Sequence, residues 1–123
     1  MSPEAPTTTA PLMVACLCAE WCGVCNAYTQ TFEALKARFP GVRFVWIDVE
    51  DEEDLIHPLE VENFPTLLIA VGDQARFFGP LRPQIETVER LIRAHLDDPD
   101  APALAHPDVA ALAARLSANA RSA

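Results

Sequence analysis

The distribution of apolar and polar residues along the chain predicts a domain that begins with a strand and a helix. Residues Leu12–Cys18 form a short, nearly continuous apolar run, and its length favours a strand buried on both faces. Apolar residues then recur at helical spacing, and Pro40–Gly41 follows them as a helix stop. These helical positions are Tyr28, Phe32, Leu35 and Phe39. The pattern therefore predicts a buried strand followed by an amphipathic helix.

The middle of the chain predicts a second strand, a short helix and a hairpin. Val42–Val49 is rich in β-branched and aromatic residues, which favour strands. The acidic run Glu50–Asp54 suits the first turn of a helix, because the helix dipole favours negative charge there. Thr66–Val71 and Gln74–Phe78 are two further strand candidates, and Gly72–Asp73 between them can supply the positive φ of a tight turn. We expect these two strands to be antiparallel.

The last third of the chain predicts two helices separated by a linker. Apolar residues within Pro83–Leu96 make one helical face, which we expect to cover the sheet. Residues 97–107 are rich in proline and acid and predict a linker, and residues 108–123 predict a short, Ala-rich helix and tail. Because an isolated helix of that length is marginal in water, it is expected to dock on its own domain, to pair with another chain or to fray.

These elements define one α/β domain over residues 12–96, preceded by a flexible N-terminus at residues 1–11. The order β-α-β-α-β-β-α requires right-handed crossovers in its first part and leaves helices on both sides of a mixed sheet. A length of 123 residues fits one such domain with a modest core.

The chain is acidic, with 18 Asp and Glu against 9 Lys and Arg, and its basic residues are scattered. Such a field repels nucleic acid and anionic membrane surfaces, so neither is expected as a partner. No apolar stretch approaches the roughly 20 residues of a membrane-spanning helix, and the polar segment Met1–Pro11 does not resemble a signal peptide. If Met1 is the true start, we expect a cytoplasmic location, where a disulfide among the four cysteines would be catalytic rather than structural.

Two cysteines at a strand-to-helix transition are the strongest candidates for chemistry. Cys22 and Cys25 are separated by two residues where the first predicted strand gives way to the first helix. Free backbone N–H groups and the helix dipole would stabilise a thiolate at Cys22, while Cys25 lies one turn further in. Cys22 would attack a substrate disulfide, and Cys25 would then attack Cys22 to release the reduced substrate. This exchange requires no bound cofactor.

The segment AEWCGVC at residues 19–25 resembles the active-site segment of the thioredoxin family, and Asn63–Thr66 resembles that family's cis-proline segment. With Gly79–Leu81 before the closing helix, the resemblance covers residues 12–96. It implies a thioredoxin-like, three-layer α/β fold with a mixed central sheet. The fold would lack the family's leading strand and helix and would add a C-terminal helix.

The resemblance also implies a thiol–disulfide oxidoreductase that acts on protein disulfides, with electrons from an unidentified reductase or thiol protein. The Phe64–Pro65 peptide bond would be cis, with Pro65 packed against the two cysteines and the backbone of Phe64 offered to an extended substrate strand. Alternatively, Pro65 merely begins a strand. The residues implied to bind substrate are Trp21, Gly23, Val24, Phe64, Pro65 and Gly79. The oligomeric state is not defined by the sequence.

Several positions depart from the family pattern. Cys16 stands where most thioredoxins carry a buried carboxylate, and Trp46 stands at the position of a family lysine. Neither of the usual buried charged groups is therefore present to assist deprotonation of Cys25. Val24 replaces the proline that typically precedes the second cysteine, and the resemblance implies that this dipeptide tunes redox potential and substrate choice.

Cys16 and Cys18 share one face of the first predicted strand, because side chains alternate along a strand. They are either small core residues or accessory thiols beneath the active site, with Cys16 close enough to Cys25 to form an alternative disulfide. Two other functions remain open. The protein could be a non-catalytic redox-sensing or protein-binding module, or the four cysteines could hold zinc. We favour exchange chemistry without a metal.

Overall fold

The structure is a computed structural model that describes residues 12–19, 23–56, 59, 61, 65–72, 74–80, 84–98 and 102–122. In chain order the elements are β1 (Leu12–Cys18), α1 (Gly23–Arg38), β2 (Arg43–Asp48), α2 (Glu53–Ile56), β3 (Thr66–Val71), β4 (Gln74–Pro80), α3 (Ile85–Asp97) and α4 (Pro107–Ser122). The predicted order of elements is confirmed, and β1 and β3 have the predicted bounds. The expectation of a flexible N-terminus lies outside the described residues. No helix in the described ranges is long and apolar enough to cross a membrane.

The strands form one mixed sheet in the order β2-β1-β3-β4. β1 pairs in parallel with β2 and antiparallel with β3, which in turn pairs antiparallel with β4. A parallel pair needs a crossover connection, and α1 provides it between β1 and β2. β1 is therefore a central strand, and all seven of its residues are buried, as its nearly continuous apolar run predicts.

The hairpin between β3 and β4 depends on a glycine. Gly72 has a φ of 62°, a left-handed conformation that costs glycine little because it has no Cβ. Val71 pairs with Gln74, so a two-residue loop joins the strands, and the predicted tight turn is confirmed. A register shift between Ile69 and Ala70 then interrupts the ladder.

Helices α1 and α3 cover one face of the sheet. Their most deeply buried side chains include Tyr28 and Phe32 of α1 and Val88 and Ile92 of α3. These side chains belong to one cluster with every second residue of β1, including Cys16. The alternation of side chains along β1 thus directs Cys16 towards α1.

Helices α2 and α4 cover the opposite face. Val109 and Leu112 of α4 are fully buried in a second cluster, which contains the remaining residues of β1. Arg115 Nη1 also donates a hydrogen bond of 2.7 Å to the carbonyl oxygen of Leu55 in α2. Of the three alternatives for the C-terminal helix, the structure therefore has it docked on its own domain, because burial of its apolar face offsets the marginal stability of an isolated helix.

The acidic run after β2 differs from its prediction as a helix start. Residues 49–52 form turns, and α2 begins only at Glu53. Asp48 Oδ1 accepts hydrogen bonds from the backbone N–H groups of Glu50 at 2.9 Å and Asp51 at 3.2 Å. A carboxylate that bonds nearby backbone groups in this way stabilises a turn in competition with a helix. The helix therefore begins at Glu53 and not at Glu50.

Candidate functional site

The predicted cysteine motif lies where β1 passes into α1. β1 ends at Cys18 and α1 begins at Gly23, so the backbone of Cys25 lies in the first turn of α1. Gly23 is exposed, and a Cβ added there would meet no heavy atom within 4 Å. The other predicted positions of this site lie outside what the structure describes: Trp21, Cys22, Phe64 and the side chains of Val24 and Cys25. The described backbone brings the start of a helix to the end of a buried strand, which is the setting that thiolate chemistry needs.

Two further predicted site residues lie at the same edge of the sheet. Leu17 pairs with Thr66 across β1 and β3, so the buried Pro65, one residue earlier, lies beside the C-terminal end of β1. On the other side of β3, Gly79 of β4 pairs with Leu67. The topology therefore brings Pro65, Gly79 and the beginning of α1 to one edge, although they are distant in sequence.

Two buried cysteines precede the motif. Cys16 and Cys18 are 0% and 2% exposed, and their Sγ atoms are 3.4 Å apart. Cys18 is disulfide-bonded, whereas Cys16 is a free thiol. Because a disulfide sulfur carries no proton, the S–H of Cys16 is the donor in this contact. Burial raises the pKa of Cys16 to about 12, so this thiol stays protonated at neutral pH.

Aromatic side chains lie on the same face of the sheet as Cys16. Trp46 of β2 is in register with Cys16, and its ring centroid is 5.4 Å from that of Phe32 on α1. The hydroxyl group of Tyr28 is buried and finds no hydrogen-bond partner among the described residues. Burial, and after it the electrostatic interaction with Cys16, raises the pKa of Tyr28. A negative charge on either group would be poorly stabilised in these surroundings.

Neutral residues occupy the two positions at which the resemblance implies buried charges, Cys16 and Trp46. Cys16 is buried, and Trp46 beside it is 37% exposed. Within the described ranges no Asp or Glu side chain is buried, so no described carboxylate is buried near Cys16. No group of three or more His, Cys, Asp or Glu residues in this part of the chain could hold a metal ion. The described side chains therefore supply neither a buried base nor a metal centre.

Sequence reasoning identified Tyr28 only as an apolar helical position. Its hydroxyl group, and the electrostatic interaction of that group with Cys16, were not predicted. The available signal was a single tyrosine among phenylalanine and leucine on the buried face of α1, which brings one polar atom into an apolar core. The distance between Cys16 and Cys18 follows from the predicted alternation along β1, whereas the disulfide at Cys18 was not predicted.

Comparisons with known proteins agree with this architecture. The sequence model of the thioredoxin family matches residues 7–89. Thioredoxin of Oryctolagus cuniculus is 38% identical over 84 residues, which are 66% of this chain and 80% of the rabbit protein. Thioredoxin H2-1 of Oryza sativa subsp. japonica is 28% identical over 93 residues, which are 74% of this chain and 67% of the rice protein. Thioredoxin from Trypanosoma brucei brucei superposes with a TM-score of 0.65 at 23% identity, covering 79% of this chain and 88% of that protein.

The chain therefore belongs to the thioredoxin family. The expected thioredoxin-like α/β fold is confirmed, and the protein is a thiol–disulfide oxidoreductase of this family. Members of the family act in general on protein disulfides together with reductase partners. The family match ends before α4 begins, so the docked C-terminal helix is a feature of this chain outside the matched region.

Proposed function

We propose that the protein exchanges disulfides of protein substrates through Cys22 and Cys25. The supporting observation is the backbone at the motif, because α1 begins at Gly23, directly after Cys22 and close to the end of buried β1. The first N–H groups of a helix have no partners within the helix, and they stabilise an anion in front of it. Cys22 is therefore the nucleophile, since its thiolate is the form that attacks a disulfide.

The proposed cycle has two exchange steps. The Cys22 thiolate attacks one sulfur of the substrate disulfide, and the other substrate sulfur leaves as a thiolate. Cys25 then attacks Cys22, which releases the second substrate sulfur and leaves a Cys22–Cys25 disulfide. Because burial raises the pKa of Cys16 to about 12, Cys16 is protonated at neutral pH and does not serve as the base for this step. We infer that water or the departing thiolate accepts the proton of Cys25.

The edge of the sheet beside the motif is the proposed substrate surface. Pro65, directly before β3, and Gly79 of the adjacent strand β4 lie there. We infer that Phe64 pairs its backbone with an extended substrate segment, across a cis peptide bond to Pro65, and that Trp21 forms an apolar rim. The electron donor is a reductase or thiol protein, and a reducing compartment such as the cytoplasm would supply it.

Reduction of insulin disulfides with dithiothreitol as the electron source tests the assignment. The wild-type protein should accelerate the reduction, and Cys22→Ser and Cys25→Ser should each abolish the acceleration. Ala27→Ser is the matched control, because it adds a hydroxyl group at an exposed position of the same helix and should leave the rate unchanged. If the wild-type protein has a reducible Cys22–Cys25 pair but does not accelerate the reaction, it is a redox-sensing or protein-binding module instead.

Trapping of partners tests the roles of the two cysteines separately. Cys25→Ser should retain covalent partners on Cys22, because the resolving thiol is missing. The double variant Cys22→Ser with Cys25→Ser should retain none. Equal capture by both variants would contradict the role of Cys22 as nucleophile.

A further inference from the structure

We propose that Cys18 is a third redox-active thiol, which exchanges with the Cys22–Cys25 disulfide to form a Cys18–Cys25 disulfide at the base of the active site. The inference rests on the proposed exchange chemistry of Cys22 and Cys25, and it adds a second oxidised form of the same site. It differs from the hypothesis drawn from the sequence, in which Cys16 is the residue that pairs with Cys25.

The first observation behind the inference is the bonding state of the two buried cysteines. Cys18 is disulfide-bonded and Cys16 is a free thiol, although their sulfur atoms are only 3.4 Å apart. The chain contains four cysteines, so the cysteines available to Cys18 are Cys22 and Cys25. Cys18 therefore belongs to the chemistry of the motif and is more than a small core residue.

The second observation concerns the face of α1 on which Cys25 lies. Cys25 precedes Tyr28 by three residues and Phe32 by seven, which are the spacings of one helical face. Tyr28 and Phe32 are both buried in the cluster that contains Cys18. The helical position of Cys25 is therefore on the side of α1 that packs on β1, whereas Cys22 precedes the first helical residue. This placement favours Cys25 as the partner of Cys18.

The proposed step is an isomerisation that needs no external oxidant. The Cys18 sulfur attacks the Cys25 sulfur of the Cys22–Cys25 disulfide, the Cys18–Cys25 bond forms and the Cys22–Cys25 bond breaks. Cys22 leaves as a thiolate, and the proton lost by Cys18 ends on Cys22 or in the solvent. One disulfide is present before and after the step, so the number of electrons in the protein is unchanged.

Cys16 acts in this step as a positioning residue. In the disulfide-bonded form its S–H group points a proton at the Cys18 sulfur, at a sulfur-to-sulfur distance of 3.4 Å. When the Cys18–Cys25 bond breaks, the same donor stabilises the negative charge that develops on Cys18. An aspartate or glutamate in this place would repel that charge, so the neutral thiol at position 16 is suited to a redox-active neighbour.

The consequence is a form of the protein that has one free nucleophile, Cys22, and no resolving thiol. With Cys25 held by Cys18, Cys22 can still attack a substrate disulfide, but Cys25 cannot release the product. Mixed disulfides with Cys22 would then persist until the Cys18–Cys25 bond is reduced or exchanged.

Peptide mapping after graded oxidation tests the pairing directly. Every lysine and arginine of the chain follows Cys25, so trypsin leaves all four cysteines on one peptide, but cleavage after Glu20 separates residues 5–20 from residues 21–33. The full-length protein is equilibrated in buffers with increasing ratios of glutathione disulfide to glutathione, quenched with acid, alkylated and digested with a glutamate-specific protease. A Cys18–Cys25 bond links the two peptides and leaves alkylated Cys16 and Cys22, whereas a Cys22–Cys25 bond stays within the second peptide.

Three variants identify the sulfur atoms. In Cys22→Ser the Cys18–Cys25 link should still form, because Cys18 can attack a mixed disulfide of Cys25 with glutathione, and glutathione then leaves in place of Cys22. In Cys18→Ala the link should be lost, because one of its two sulfur atoms is missing. Cys16→Ala, the matched loss of a neighbouring buried thiol, should still form the link, at a shifted ratio of glutathione disulfide to glutathione because the hydrogen bond to Cys18 is absent. Circular dichroism checks that each variant is folded.

The proposal is overturned if oxidised wild-type protein has only the bond within residues 21–33, if Cys16→Ala loses the link, or if fragment ions assign it to Cys22. The mapping reports on bonding and not on turnover. A missing link with normal insulin reduction therefore refutes this inference alone, and a Cys18–Cys25 link without insulin reduction refutes the proposed function alone.

Discussion

The alkaline stability of the protein is expected to depend on Cys16. This thiol is fully buried, and burial raises its pKa from 9.0 to about 12. Below pH 9 the thiol is protonated in both the folded and the unfolded protein, so its contribution to stability is fully present there. Above pH 9 the unfolded chain loses this proton while the folded protein keeps it, and the free energy of unfolding falls until the pH passes about 12.

The magnitude follows from the two pKa values. Each pH unit between them lowers the free energy of unfolding by about 1.4 kcal/mol, so the loss between pH 9 and pH 11 is roughly 2 to 3 kcal/mol. This is a large fraction of the roughly 5 to 15 kcal/mol that stabilises a typical domain. Tyr28, whose pKa is also raised, adds to the loss at higher pH, so wild type alone does not isolate the contribution of Cys16.

Urea unfolding at pH 8, 9, 10 and 11, with a phosphine reductant to keep all thiols reduced, measures this contribution. The informative quantity is the difference between wild type and Cys16→Ala, because the other titrating groups are present in both proteins, and the interaction with Cys16 is the smaller of the two causes that raise the pKa of Tyr28. Cys16→Ala should be the less stable protein at pH 8, since it leaves a cavity, but its stability should fall less steeply as the pH rises. Parallel pH profiles of the two proteins would refute the assignment of a raised pKa to Cys16.

Three other substitutions test the fold and the buried site by urea unfolding, the first two at neutral pH and the third at pH 8 and pH 5. Leu112→Ala should lower the free energy of unfolding by about 2 to 5 kcal/mol, because α4 is docked in the core. Ala114→Ser, on the exposed side of the same helix, should lower it by less than about 0.5 kcal/mol. Equal, small effects of the two substitutions would contradict the docking. Gly72→Ala should cost about 1 to 2 kcal/mol because of its positive φ, and Gly41→Ala, which has open space and no positive φ, should not. Cys16→Asp should be strongly destabilised at pH 8 and partly restored at pH 5, because a buried carboxylate without a partner is tolerated only when protonated.

The fold could be predicted from the sequence to the extent that local patterns determine it. β1 has the predicted bounds because a continuous apolar run fits a strand that is buried on both faces. The turn at Gly72 followed from local chemistry in the same way. The docking of α4 could not be predicted, because an amphipathic helix has the same sequence pattern whether its partner is its own sheet or another chain. The delayed start of α2 was missed because the bonds to Asp48 compete with the dipole effect of the acidic run.

The candidate site could also be predicted from the sequence only in part. Alternation along β1 predicted that Cys16 and Cys18 share a face, and their sulfur atoms are in contact. Which of them is disulfide-bonded depends on sulfur-to-sulfur distances between elements, and sequence spacing carries no information on those distances. The expected packing of Pro65 against Cys22 and Cys25 came from the family resemblance and stays a prediction, whereas the register of β1 with β3 places Pro65 beside the end of β1.

Cys16 stands where the resemblance implies a buried charged residue, and this difference changes the acid–base chemistry that the core beneath the motif can support. A buried carboxylate accepts a proton, and its negative charge disfavours a second negative charge nearby. The Cys16 thiol instead stays protonated and donates towards Cys18, so it removes the internal base and at the same time favours ionisation of a neighbouring sulfur. The same substitution therefore predicts two linked effects: slower deprotonation of Cys25 than a buried base would allow, and exchange between Cys18 and the motif. Cys16→Asp tests whether these effects share one cause. We expect faster insulin reduction at pH 5 to 8 together with loss of the disulfide that joins residues 5–20 to residues 21–33. Faster reduction with that disulfide retained would show that the two effects have different causes.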